Sequence, residues 1–213
     1  MSRSDFYTIV HKHLRRTLFD VSIQLSGVDR TNVTTMVDAF RGVAGMLRGH
    51  AELEDSSIAP LLRETSPDMA AAMTSDHQAL DAQLAAVETK VLGLPSLGED
   101  DLEAAALDAY REWNRFLAAY LIHLDDEENR LFPALGAANP PASAVAALAA
   151  RRGEQSSAFL AMLLPVLTHA ERLEILRHLE AEPGMLERAM AAARQSLSDA
   201  QVARLNQGLA DRP

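Results

Sequence analysis

The sequence predicts an all-α protein: an up-down-up-down four-helix bundle followed by a C-terminal appendage of shorter helices. Three observations lead there. Alanine and leucine are plentiful while β-branched runs are scarce, a composition that favours helix over strand. Apolar residues recur at steps of three and four, the period of one helix face. The first four segments are joined by short loops, and long helices so joined pack most simply in alternating directions.

A first helix is expected from about Ser4 to Ser26, stopped by Gly27, and a second from about Asn32 to Leu62. Ser66 reads as an N-cap with Pro67 at the first helical position, opening a third helix that runs to about Leu92. The loop GLPSLGED ends it. Glu99, Asp100 and Asp101 sit where a helix N-terminus favours negative charge, and the fourth helix continues to about Leu135, before Asn139-Pro140-Pro141. Residues 1–138 are thus expected to form the bundle and 139–213 the extension. Within the extension, Pro165 and Pro183-Gly184 separate shorter helices, and Thr168 with Glu171 and Ser198 with Gln201 have capping-box spacing.

At 213 residues the chain can bury a sizeable apolar interior. Its net charge of −10 and the lack of a long Lys/Arg run argue against a nucleic-acid partner. No stretch approaches the roughly 18 consecutive apolar residues of a membrane span, and MSRSDFYTIVHKHLRR is too broken for a signal peptide, so no membrane partner is expected and the cytoplasm is the expected compartment. Cysteine is absent, which excludes disulfides, thiolate metal sites and a Cys nucleophile. Any metal must be held by His and carboxylates.

The seams of the four helices carry the functional signal. The first reads Tyr7, His11, Leu14, Leu18, Val21, Leu25; the second Met36, Phe40, Val43, Leu47, His50, Glu54, Ile58, Leu61. The third reads Met73, His77, Leu80, Leu84, Val87, Val91, and the fourth Leu102, Ala106, Ala109, Trp113, Phe116, Tyr120, His123, Glu127. Each stripe faces the interior, and each is interrupted by His or by His then Glu. With a rise of about 1.5 Å per residue and alternating directions, all six interruptions fall at one level of one end.

Residues four apart lie one turn above each other, so each His-x-x-x-Glu pair aims two donors into the same space. Burying an unpaired carboxylate costs several kcal/mol, whereas the apolar side chain it replaces would contribute about 1.5–3 kcal/mol. Something positive must compensate. Four imidazoles with carboxylates and no thiols suit iron, and also zinc or manganese. His11, His50, Glu54, His77, His123 and Glu127 are therefore the candidate metal ligands, with His13 as the alternative to His11.

Asp81, one turn past His77, could be a further ligand, an acceptor behind a ligand, or a solvated acid. Asp55, with Glu52, Asp76, Asp125, Asp126 and Glu128, reads as outer charged surface. Tyr120 reads as packing near the site, and His169 and His178 as surface residues.

The segments VHKHLRRTLF, GHAELEDSSIAPLL, DHQALD and HLDDEENRLFPAL together resemble the hemerythrin-like, or HHE cation-binding, family over roughly residues 5 to 136. The resemblance implies a non-haem di-iron centre, two ions bridged by carboxylates and an oxo group, with an open position for dioxygen or a related small molecule. Carried onto this sequence, His11, His50, His77 and His123 would be terminal ligands and Glu54 and Glu127 bridging ones.

Oxygen-carrying hemerythrins have His-x-x-x-His on the third helix, whereas His77 has Met73 four before it and Asp81 four after. Fewer nitrogen ligands leave more open or water-filled positions, as redox chemistry on oxygen or peroxide requires, rather than reversible carriage. The expected partner is thus O2, peroxide or NO, in sensing or detoxification. The alternatives are a metal-binding, storage or signalling module without turnover, and a structural bundle whose polar seam groups fix register. Any self-association is expected as a homodimer through the C-terminal helices.

Overall fold

The computed structural model describes residues 6–136, 149 and 156–211, and among these every regular element is helical. The fold is all-α. Two compact units emerge: Leu14–Ala138, and Met1–His13 together with Asn139–Pro213. The expected start of the first helix at Ser4 and the Asn139-Pro140-Pro141 stop lie outside the described residues.

Helix α1 spans Phe6–Ser26. The turn after it is held by Asn32, whose amide donates to the Gly27 carbonyl and whose side-chain oxygen accepts from the Asp29 N–H. Helix α2, Val33–Ser57, stops earlier than the seam suggests, and a separate α3, Ala59–Thr65, follows Ile58. Pro60 is the cause. It has no N–H to give the Ser56 carbonyl, and its ring disfavours helical geometry at the residue before it. The buried series continues at steps of four, His50, Glu54, Ile58 and Leu62, so Leu62 is fully buried, whereas Leu61, expected in the seam, is 41% exposed.

Helix α4 runs Pro67–Gly93 from Ser66, which occupies the N-cap position but whose side chain makes no capping hydrogen bond. A 3₁₀ turn, Leu94–Ser96, leads to α5, Glu99–Asp126, which opens on the expected three acids. The fourth helix reaches Leu135 without a gap, as expected, but not as α-helix throughout. Glu127–Leu131 is a π-helical turn, and α6 covers Phe132–Leu135. Pro133 cannot donate to the Asn129 carbonyl and would crowd it. The backbone widens instead, and the Phe132 N–H donates five residues back, to Glu127.

Within Leu14–Ala138, specific contacts set the helix directions. Arg15 pairs with Glu128 and Ser22 with Asn114, so α1 runs antiparallel to α5. Arg48 meets Asp81 and Glu88 while Asp55 meets Thr74 and His77, so α2 is antiparallel to α4. Lys90 reaches Asp108 and Glu112 while His77 reaches Glu127, so α4 is antiparallel to α5. Leu61 apart, every apolar seam residue predicted for the four helices is buried. At its centre Trp113 packs edge-on to Phe40, and its indole N–H donates to the Leu18 carbonyl at 3.2 Å.

In the second unit the described helices are α7 (Ser156–Leu163), α8 (His169–Leu179), α9 (Met185–Ser196) and α10 (Asp199–Ala210). Both expected capping boxes form, Thr168 with Glu171 and Ser198 with Gln201. Gly184 enters α9 at φ +71°, where a side chain would be strained. Gly208 lets α10 approach α8 so closely that an added Cβ would meet Leu173 at 2.6 Å.

Candidate metal centre

Two helices each bring a His and, one turn later, a Glu. On α2 these are His50 and Glu54; at the end of α5 they are His123 and, at the first residue of the π turn, Glu127. Helix α4 brings His77. All five are buried, and both carboxylates are completely enclosed.

One oxygen of Glu54 lies 3.3 Å from His50 Nε2 and the other 3.4 Å from His77 Nε2. Oε1 of Glu127 lies 3.2 Å from His123 Nε2 and 3.5 Å from His77 Nε2. Each carboxylate thus faces imidazoles from two helices. Donor atoms of Glu54, His77, His123 and Glu127 all fall within 4.8 Å of one another, a grouping able to hold a metal ion.

The imidazoles turn their Nε2 atoms toward the carboxylates. Nδ1 of His77 is 3.0 Å from Asp55 Oδ1, so Nε2 is the atom turned toward Glu54 and Glu127. The His77 and His123 rings meet edge-on with centroids 5.0 Å apart, and Tyr120 packs edge-on against His123 at 5.7 Å. Buried Nε2 atoms of His77 and His123 make no well-aligned hydrogen bond. Two donors bound to one ion at about 2.0–2.2 Å cannot be more than about 4.4 Å apart, so the observed spacing needs only tenths of an ångström of closure. The set of nitrogen and oxygen donors without sulfur fits a first-row transition ion.

Electrostatics follow from the geometry. Burial alone would lower the His77 pKa, but Glu127, Glu54 and Asp55 overcome it and raise it from 6.5 to about 10. For Glu127, burial and the neighbouring Glu54 push upward, yet His123 and His77 prevail and hold it below the ordinary carboxylate value. Tyr120 is pushed well above its usual value, chiefly by burial and then by the charges of Glu54 and Glu127. A cation at the centre of this cluster would take over the part that imidazolium plays in the metal-free protein.

A small cavity reaches this group from the α2–α4 side. It has about 30 Å³ of room for water-sized molecules, with Arg48 and Asp81 among its lining residues, Leu80, Leu84 and Phe116 as apolar walls, and His77 and Tyr120 also lining it. One water needs roughly 10–15 Å³ on this measure, so the space suits a diatomic molecule or a pair of waters.

The remaining sequence candidates fall as follows. His11 and His13 are both buried on α1, in the part of the chain grouped with residues 139–213. Asp81 is a surface acid, 61% exposed and paired with Arg48 at 2.9 Å. His178 is exposed and His169 half-buried. Asp55 corrects the expectation of an outer charged residue: its Oδ1 binds His77 and also accepts from the Thr74 hydroxyl. The residue after Glu54 points about 100° further round the helix, and the sequence alone does not say whether that direction meets water or another helix.

Among the described residues no helix is long and apolar enough to cross a membrane. No curated protein and no solved structure matches the chain. Residues 4–135, well over half the chain, match the model of the hemerythrin HHE cation-binding domain, and with its buried His and Glu residues gathered as described, the chain belongs to the hemerythrin HHE cation-binding family.

Proposed function

We propose that the chain is a non-haem di-iron protein that binds or reacts with dioxygen, peroxide or nitric oxide, in sensing or detoxification. His50, Glu54, His77, His123 and Glu127 would hold the ions. His11 is proposed as the sixth ligand on the strength of its place in the first seam and its burial. The observation that carries this reading is the convergence of two fully buried carboxylates on imidazoles from three helices, with donor atoms of Glu54, His77, His123 and Glu127 within 4.8 Å of one another.

Bound iron would supply an electron-accepting centre with an exchangeable coordination position. The chain's own groups do the rest. Glu54 presents its two oxygens to different imidazoles, the posture of a bridging ligand. The cavity beside His77 and Tyr120 has room for a molecule of a few atoms. Tyr120, kept neutral by burial, holds its proton next to that space.

The test is elemental analysis of the purified protein with an absorption spectrum before and after exposure of the reduced form to oxygen and peroxide. About two irons per chain and a ligand-to-metal charge-transfer band that changes on exposure are expected. Iron without a spectral response would leave the storage or signalling module. A protein without metal, whose melting is unmoved by chelator, would leave the structural bundle.

A further inference from the structure

His50 and His123 each have a carboxylate one turn later on their own helix, turned toward the imidazole: His50 has Glu54, and His123 has Glu127. His77 has none. The acid one turn past it, Asp81, turns away to Arg48 at the surface. An imidazole with two rotatable bonds, on a helix that supplies no second donor, needs another constraint to point Nε2 at the cluster.

That constraint crosses from α2. Asp55 Oδ1 lies 3.0 Å from His77 Nδ1, and the same oxygen accepts from Thr74 Oγ1 at 3.2 Å. Thr74 and His77 are three apart on α4 and so share a face; between them they bracket the Asp55 carboxylate. An ionised carboxylate can only accept, so a hydrogen is assigned to Nδ1, and in the neutral ring that a metal requires Nε2 is the atom left with its lone pair toward Glu54 and Glu127. A carboxylate behind an imidazole also makes it a better ligand.

We propose that Asp55, clamped by Thr74, is the positioning residue for His77: it sets which ring nitrogen faces the cluster and replaces the second donor that α4 lacks. The proposal rests on the metal-centre reading for its consequence, but the contact itself can be tested without metal.

In the metal-free protein, long-range proton–nitrogen spectra of the histidines should show an exchange-protected Nδ1 proton on His77. It should disappear in Asp55→Ala and persist, weakened, in Asp55→Asn, whose amide oxygen still accepts. Zinc, a diamagnetic probe, should then bind 10–100-fold more weakly to Asp55→Ala by competition with a chromophoric chelator, the loss usual for a partner behind a ligand. Asp55→Asn should recover part of that loss, and Thr74→Val should show a smaller deficit while keeping the proton.

An unprotected His77 Nδ1 in the parent protein, or a signal unchanged in Asp55→Ala, would overturn the contact. Equal zinc affinity of the parent, Asp55→Ala and Asp55→Asn would overturn the positioning role. If the parent itself takes up no zinc or iron while the His77 proton behaves as expected, the fault lies with the metal reading and not with the contact. Should Asp55→Ala not fold, Asp55→Asn and Thr74→Val carry both readouts.

Discussion

Among the described residues, carboxylates are buried in two places, and they meet the charge in opposite ways. Glu171, at the start of α8, is 6% exposed. One of its oxygens takes the Lys12 ammonium at 2.6 Å, and the other accepts the Thr168 N–H at 2.7 Å. Lys12 lies in the Met1–His13 part of the same unit. A fixed cation and a backbone donor thus stabilise the anion whatever the solution holds. Glu54 and Glu127 are buried more completely, and what faces them is imidazole, neutral unless protonated. Burial of an acid therefore does not mark a site. A buried acid faced only by groups that can themselves become neutral is the kind that a bound cation would stabilise.

The largest effect should come from breaking the imidazole side of that comparison. His50→Ala and His123→Ala should each abolish metal retention, measured as iron per chain after purification. His169→Ala and His178→Ala should keep it, because neither residue belongs to the cluster. Equal iron in all four variants would reduce the Glu54–Glu127 group to a structural feature of the same kind as Glu171.

A second, smaller effect sharpens the contrast through pH. In the metal-free protein His77 is raised from 6.5 to about 10. A group whose folded pKa lies above its unfolded one contributes stability that is complete below the unfolded value and lost as pH rises through the folded one. Melting temperature of the metal-free protein should therefore fall as pH climbs from about 6.5 to about 10. The loaded protein should behave in reverse. Its ligand imidazoles must be neutral, so acidification should release metal and lower stability together. Melting curves in chelator and in iron that fall in parallel on the alkaline side, with no loss of metal in acid, would show that the metal is held elsewhere.

How much of this was legible beforehand depends on what the local sequence can encode. The seams were legible because a helix face repeats every three or four residues, and His50, Glu54, His77, His123 and Glu127 interrupt those faces where apolar residues were due. The capping boxes at Thr168 and Ser198 were legible because side chain and backbone lie three residues apart. Leu61 was the wrong choice because three and four residues past Ile58 are both steps that a helix face allows, and Leu62, beyond the break at Pro60, is the one that packs inward. Pro133 likewise carried the signal for a break, but the form it takes, a widened turn that begins at Glu127, depends on how the backbone relieves the Asn129 carbonyl. Asp55 was beyond reach for a different reason. Its meaning lies in a partner on another helix, and no periodicity within α2 shows whether an acid beside the seam faces water or Nδ1 of His77.

The smallest predicted effect isolates the structural carboxylate. Thr168→Ala removes the hydroxyl that accepts the Glu171 N–H but leaves the Glu171 carboxylate on the residue-168 N–H and on Lys12. Only one capping bond is lost, so stability should fall by about 1 kcal/mol, read as a shift in the denaturation midpoint at unchanged slope. Iron content should equal that of the parent protein. Ser198→Ala removes the matching bond from the Gln201 N–H and also the bond that the Ser198 hydroxyl donates to the Gln201 side-chain oxygen, and on an exposed cap it should cost about 1 kcal/mol as well. A much larger loss in Thr168→Ala alone would mean that the hydroxyl also orients Glu171 for Lys12, making this buried acid a coupled element of its unit rather than an independently satisfied one.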